Sequence, residues 1–271
     1  MQTDRDAQIV YWIGRLGAAG AEHVMCEFGM SRSVTYQRLN SLTRDGLLEH
    51  HAVLYGRPGM YCATGAGLRW QGLGHLGVCR VRPGAFEHAW QVAQVAVELR
   101  NRLPDWEVIS ERIIRSIEGY TGEVFASAQI GHTAEQPVLH RPDLAIVSSD
   151  AMVLASIEIE LSIKSASRLV AICRGWARAP HVDRVYYLAA TGPGRAVKRA
   201  VKSAHATGQI NVLNLDQAHL LATDVREREK ARESSREIGI DEQARAHLST
   251  PGPRRESRIM ADMRALQEQY R

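Results

Sequence analysis

The segment Val153 to Lys164, VLASIEIELSIK, restricts the fold of this chain more than any other stretch. Val153, Ala155, Ile157, Ile159, Leu161 and Ile163 fall at every second position. A period of two puts them on one face of a β-strand and Glu158, Glu160, Ser162 and Lys164 on the other. Further strands are expected in WEVISERIIR, GEVFASAQI, RPDLAIVSS, VDRVYYLAA and INVLNL. Helical spacing marks Phe86 to Leu103, which Pro104 stops, then about Ser167 to Ala179 and a basic helix near Arg195 to Ala206. This alternation over residues 86–222 predicts an α/β domain built on one mixed sheet.

At 271 residues, 45% hydrophobic and 24% charged, the chain has the length of two domains and the composition of a globular protein. No run of about 18 apolar residues occurs and the start, MQTDRDAQIV, is charged, so no transmembrane helix or signal peptide is expected. The expected location is the cytoplasm, with no membrane partner. Cys26, Cys62, Cys79 and Cys173 form no C-x-x-C pair, which predicts reduced thiols and neither a disulfide framework nor a zinc knuckle.

Residues 1–75 follow a different plan. Ile9, Val10, Trp12, Ile13 and Leu16 predict an amphipathic helix from Asp4 to Leu16. A second helix fits Ala21 to Phe28; Gly29 then supplies a turn, and Ser31 caps a third helix, Arg32 to Arg44. In that helix Val34, Leu39 and Leu42, with Tyr36, are expected toward a small core, leaving Arg32, Ser33, Thr35, Gln37 and Arg38 outside. Two extended segments around Gly56-Arg57-Pro58-Gly59 have the turn chemistry of a hairpin, with His50 and His51 as strand residues rather than metal ligands.

The helix pair around FGMSRS, the form LNSLTRDGLL and the exit GRPGMYCATGAG resemble winged helix-turn-helix DNA-binding domains, which makes the whole chain α+β in composition. The resemblance implies that Arg32, Ser33, Thr35, Tyr36, Arg38 and Arg44 contact double-stranded DNA, with Arg57 at the tip of the wing. Residues 1–84 hold nine Arg against six acids, residues 85–223 are balanced at 14 against 14, and residues 224–271 hold 11 against 10. The positive excess thus lies with the reading helix. A homodimer on a palindromic site is the default expectation for such a domain.

Glu158 and Glu160 at i and i+2 of one strand lie roughly 7 Å apart. Asp143 precedes Glu158 by fourteen intervening residues, and a hairpin would bring it beside them. Three carboxylates make a hard-oxygen site suited to Mg²⁺ or Mn²⁺. Pro142-Asp143, a spacer and Glu158-x-Glu160 resemble the PD-(D/E)XK nuclease superfamily, which implies restriction-endonuclease-like architecture and metal-assisted phosphodiester hydrolysis, with Asp143, Glu158 and Glu160 as metal ligands.

The last motif position is usually lysine and here is Glu160. Lys164 could return to the site only through a break or tight bend after Leu161. A supporting acid could be Glu98 or Glu111, with Glu111 favoured as a strand residue. An edge strand with a solvated acidic face is the plain alternative.

HRPDLAIV and IEIELSIKSASRLVAICRGWARAPHVDRVYYLA resemble actinobacterial mobile-element proteins related to the plasmid replication-relaxation family. Two functions follow from these resemblances: metal-dependent DNA cleavage or nicking, or a non-enzymatic regulator or replication and transfer accessory factor with a degenerate nuclease domain. Residues 223–271 are charged and poor in aromatics, which predicts a flexible tail with two short helical segments on either side of Thr250-Pro251-Gly252-Pro253.

Overall fold

The computed structural model describes residues 2–134 and 136–246. Helix α1 (Asp4–Leu16) starts at a reciprocal cap between Thr3 and Asp6. Strand β1 (Ala19–Gly20), helix α2 (Ala21–Phe28) and helix α3 (Arg32–Arg44) follow, with Gly29 in the left-handed conformation (φ +59°) and Ser31 capping α3. Strands β2 (Leu48–His51) and β3 (Met60–Ala63) pair antiparallel across the expected turn, and the two-residue β1, too short to carry a pattern, completes a sheet ordered β1-β3-β2. Helix α4 (Gly65–Trp70) follows, and residues 71–85 lead on to the second unit.

The inward stripe of α3 is Thr35, Leu39 and Leu42, at i, i+4 and i+7. Val34 and Tyr36 lie about a hundred degrees to either side of Thr35, so they are 40% and 36% exposed instead of facing the core. Thr35, expected outside, is fully buried and its hydroxyl donates to the Ser31 carbonyl.

Helix α5 (Phe86–Arg102) precedes strand β4 (Glu107–Ser110), helix α6 (Glu111–Thr121), the hairpin of β5 (Ala128–His132) and β6 (Pro137–His140), and strands β7 (Leu144–Val147) and β8 (Val153–Glu160). Helix α7 (Ala166–Ala177), strand β9 (Val185–Ala189), helix α8 (Thr191–Ser203), strand β10 (Ile210–Asn214) and helix α9 (Ala218–Ala246) complete the described chain. The expected strand WEVISERIIR is strand only through Ser110, because Ile113, Ile114 and Ile117 recur at helical spacing and form the buried stripe of α6. Helix α9 runs unbroken through the first part of the expected tail; Thr250 to Pro253 and the second expected helical segment lie outside the described residues.

The five-stranded sheet is mixed and ordered β10-β9-β8-β7-β4: β4, β7 and β8 alternate antiparallel, whereas β8, β9 and β10 run parallel. Strand β8 is therefore central, with all eight residues buried, and is no solvated edge. Leu144, Ile146, Ile157, Ile159 and Leu188 face α5 and α9, packing on Leu99, Leu221 and Val225. Ala145, Val147 and Tyr187 face the other way, toward Ile114, Trp176 and Val197 of α6, α7 and α8.

That second core does not stop at the sheet. It continues into Ile9, Ile13, Val24, Leu39 and Leu48 of the N-terminal unit. The junction is also polar: the Ser110 hydroxyl donates to the Arg15 carbonyl at 2.5 Å, Arg15 pairs with Glu107, and Arg100 pairs with Glu27 at 2.7 Å. The Trp90 ring lies 4.4 Å from that of His23, and a Cβ on Gly20 would come within 2.6 Å of it.

Candidate functional site

The β7–β8 register, Leu144 opposite Ile157, carries Asp143 to a position beside Glu158. One Asp143 oxygen, Oδ2, accepts the Ile159 backbone N–H at 2.7 Å, and the other lies 3.2 Å from Nε2 of His88 on α5. Glu158 Oε1 lies 2.7 Å from Nε2 of His140, the last residue of β6. Asp143, Glu158, both histidines, Glu111, Arg115, Arg141 and Lys164 border a cavity of about 260 Å³.

Strand β8 ends at Glu160 and the chain bends at Ser162, which meets the condition for Lys164 to return toward the site. Lys164 therefore folds back, pairs with the buried Glu160 carboxylate and reaches the cavity wall. Glu160 itself does not line the cavity. Glu111 does, but as the first residue of α6 rather than on a strand; its N–H donates to the Asp143 carbonyl at 2.9 Å and its carboxylate pairs with Arg115. Glu98 pairs with Arg102 at 3.1 Å on α5 and is not in the cavity wall.

The charges in this cluster compensate one another. The hydrogen bond to Asp143 raises the pKa of His88 above the usual imidazole value, against the effect of burial. Burial works against charge on His140, but the facing Glu158 carboxylate more than offsets it, and its pKa also rises. Burial pushes the Glu158 carboxyl upward despite the pull of His140. Behind them the buried Glu118 carboxylate accepts from Arg141 Nε at 2.9 Å and from the backbone N–H groups of Phe125 and Ala126. Among the described residues, no group of three or more His, Cys, Asp or Glu side chains is placed to hold a metal ion.

His88 and His140 escaped the sequence reading. His140 stands three residues before Asp143 in HRPD, a proximity that could have drawn notice, whereas nothing in the sequence of α5 marks His88.

On the N-terminal unit, Arg32, Ser33, Tyr36, Gln37, Asn40, Ser41 and Arg44 are exposed on α3, with the Arg32 guanidinium 5.7 Å above the Tyr36 ring. Arg38 is turned inward on Asp6 and Thr3, at 2.9 and 3.0 Å. Arg57 packs 5.6 Å above the Phe86 ring and pairs with Glu87 at 2.8 Å, so the expected wing-tip arginine is held against the start of α5. His50 and His51 belong to β2, with His50 beside the Tyr61 ring. All four cysteines are free thiols. Among the described residues, no helix is long and apolar enough to cross a membrane. In comparisons with family models, curated proteins and solved structures, nothing matches the chain.

Proposed function

We propose that this protein binds double-stranded DNA through the outward face of α3 and acts as a non-enzymatic regulator or as a replication or transfer accessory factor of a mobile element. One observation carries the reading: α3 holds its inner stripe with Thr35, Leu39 and Leu42 while Arg32, Tyr36, Gln37, Asn40 and Arg44 stand exposed. The paired donors of arginine, and the donor–acceptor pairs of glutamine and asparagine, match base edges in the major groove. The connectivity around α3, with a short antiparallel sheet after it, supports the likeness to winged helices. The mobile-element assignment rests on the sequence resemblance of HRPDLAIV and the segment after it.

The Mg²⁺ or Mn²⁺ centre expected at Asp143, Glu158 and Glu160 does not fit these residues as they stand. Glu160 is turned to Lys164, Glu158 to His140, and Asp143 shares its two oxygens between His88 and a backbone N–H. The cluster instead serves as a buried, charge-compensated support for β8. Cleavage remains a second reading because Asp143 and Glu158 share one cavity with Lys164.

Two experiments test these readings. Duplexes selected from a random pool by the wild-type protein should bind R32A/R44A at least ten-fold more weakly, with sequence preference reduced toward that for scrambled duplex. Equal preference in the variant would overturn the assignment of α3. Supercoiled plasmid with Mg²⁺ or Mn²⁺ should stay intact with wild type and D143A alike; nicking by wild type alone would establish the second reading.

A further inference from the structure

The balanced charge of residues 85–223 conceals a sharp internal division. Residues 85–160 hold five Lys and Arg against twelve acids, whereas residues 161–215 hold nine against one, a net +8 in a chain whose total is +4. Neither α7 nor α8 contains an acidic residue.

The two helices pack against each other and cover the same side of the sheet, burying Trp176 and Val197 in its core. Their outer faces expose Arg168 and Arg174 on α7, Arg178 just after its end, and Arg195, Lys198, Arg199 and Lys202 on α8. The one acid of the segment, Asp183, pairs instead with Arg228 and Arg232 of α9. Among the described residues, no ion pair involves any of the seven exposed cations. Elsewhere the protein interleaves its charges, as α9 does with Asp224, Arg228, Glu229 and Arg232.

We propose that the outer face of α7 and α8 is a second, sequence-independent DNA-binding surface that holds the phosphate backbone of a duplex. Arg195, Arg199 and Lys202 lie at i, i+4 and i+7, a row about 10 Å long, and a duplex presents one phosphate charge per roughly 1.7 Å of axis. Seven uncompensated cations repel one another in the free protein, and neutralisation by phosphates relieves that repulsion while releasing condensed counterions. No base-reading side chains are needed for this, and the exposed positions between the cations are small or apolar. The proposal shares with the α3 reading only the assumption that DNA is the partner.

The test uses the full chain and two fluorescein-labelled probes: a 30-base-pair duplex of arbitrary sequence and one of its strands alone. Binding is measured by anisotropy from 50 to 300 mM salt for wild type, R195A/K198A/R199A/K202A, the charge-keeping R195K/R199K, and R32A/R44A. The quadruple variant should bind the duplex at least ten-fold more weakly at 100 mM salt. Its slope of log affinity against log salt should become shallower by about 3.6, for four lost phosphate contacts at roughly 0.9 each. R195K/R199K should behave as wild type, and preference for a selected over a scrambled duplex should survive in the quadruple variant. An unchanged slope and affinity would overturn the proposal, as would a loss confined to the single strand or an equal loss in R195K/R199K. Lost preference in R32A/R44A with an unaltered quadruple variant would leave the α3 reading standing and remove this one; the reverse pattern would do the opposite.

Discussion

His23 is the side chain with the plainest pH signature. Its Nδ1 accepts the Gly20 N–H at 3.0 Å, its other ring nitrogen is buried without a partner among the described residues, and burial pulls its pKa down to about 4. Between pH 6.5 and about 4 the unfolded chain binds a proton that the folded one refuses. Stability is therefore full above pH 6.5 and falls as the pH drops through that window, by roughly 3 kcal/mol at its lower end. Urea melts across this range should show the loss, and His23→Gln, which keeps an acceptor, should flatten it. His88 and His140 have the opposite sign: their partners Asp143 and Glu158 raise them, so their contribution is present at low pH and fades as the pH rises through their folded values. Imidazole NMR titrations should put both above 6.5 and His23 below it. Glu118 is the residue whose loss should hurt the cluster most. Glu118→Ala leaves Arg141 and two backbone N–H groups without their acceptor, and should cost about 3 kcal/mol in chemical denaturation.

Among the elements, close approach is decisive at β1. A methyl on Gly20 would overlap the Trp90 ring, so Gly20→Ala should destabilise by about 1–3 kcal/mol, with quenching or a shift of tryptophan fluorescence as the ring moves. Strand β8 was legible because alternation is local, but the alternation runs on through Ile163 and hides the end of the strand at Glu160. Helix α6 was misread since its Ile113-Ile114-Arg115 start also suits a strand; only the recurrence at Ile117 separates the two periods. The link between β5 and β6, Thr-Ala-Glu-Gln, lacks the Gly, Asn or Asp that announces a hairpin, so PVLH carries no strand signal of its own. The pairings of His88 with Asp143 and His140 with Glu158 join α5 to the start of β7 and β6 to β8. Such partners are set by tertiary packing and leave no spacing to read.

Across the whole molecule, the core that joins α1 to the sheet predicts cooperative behaviour. Calorimetric and van't Hoff enthalpies should agree for a single transition, and two separate transitions would contradict the shared core. Residues 1–84 expressed alone should expose the α1 surface that packs on α6 and β4, and should bind hydrophobic dyes or aggregate. The sequence showed two patterns of residue and so two units. It could not show the seam between them, because α1 has one apolar stripe whether it meets one neighbour or two.

That seam has a consequence for how proteins of this build can diversify. A DNA-reading head tethered by a loose linker can be exchanged as a cassette, and new specificities arise by recombination at the joint. Here a crossover between residues 76 and 85 would separate Arg15 from Glu107, Glu27 from Arg100 and His23 from Trp90 at one stroke. If α3 is the DNA-reading helix as proposed, change in what the chain recognises is channelled into point substitutions on its exposed face, where no partner has to change in step.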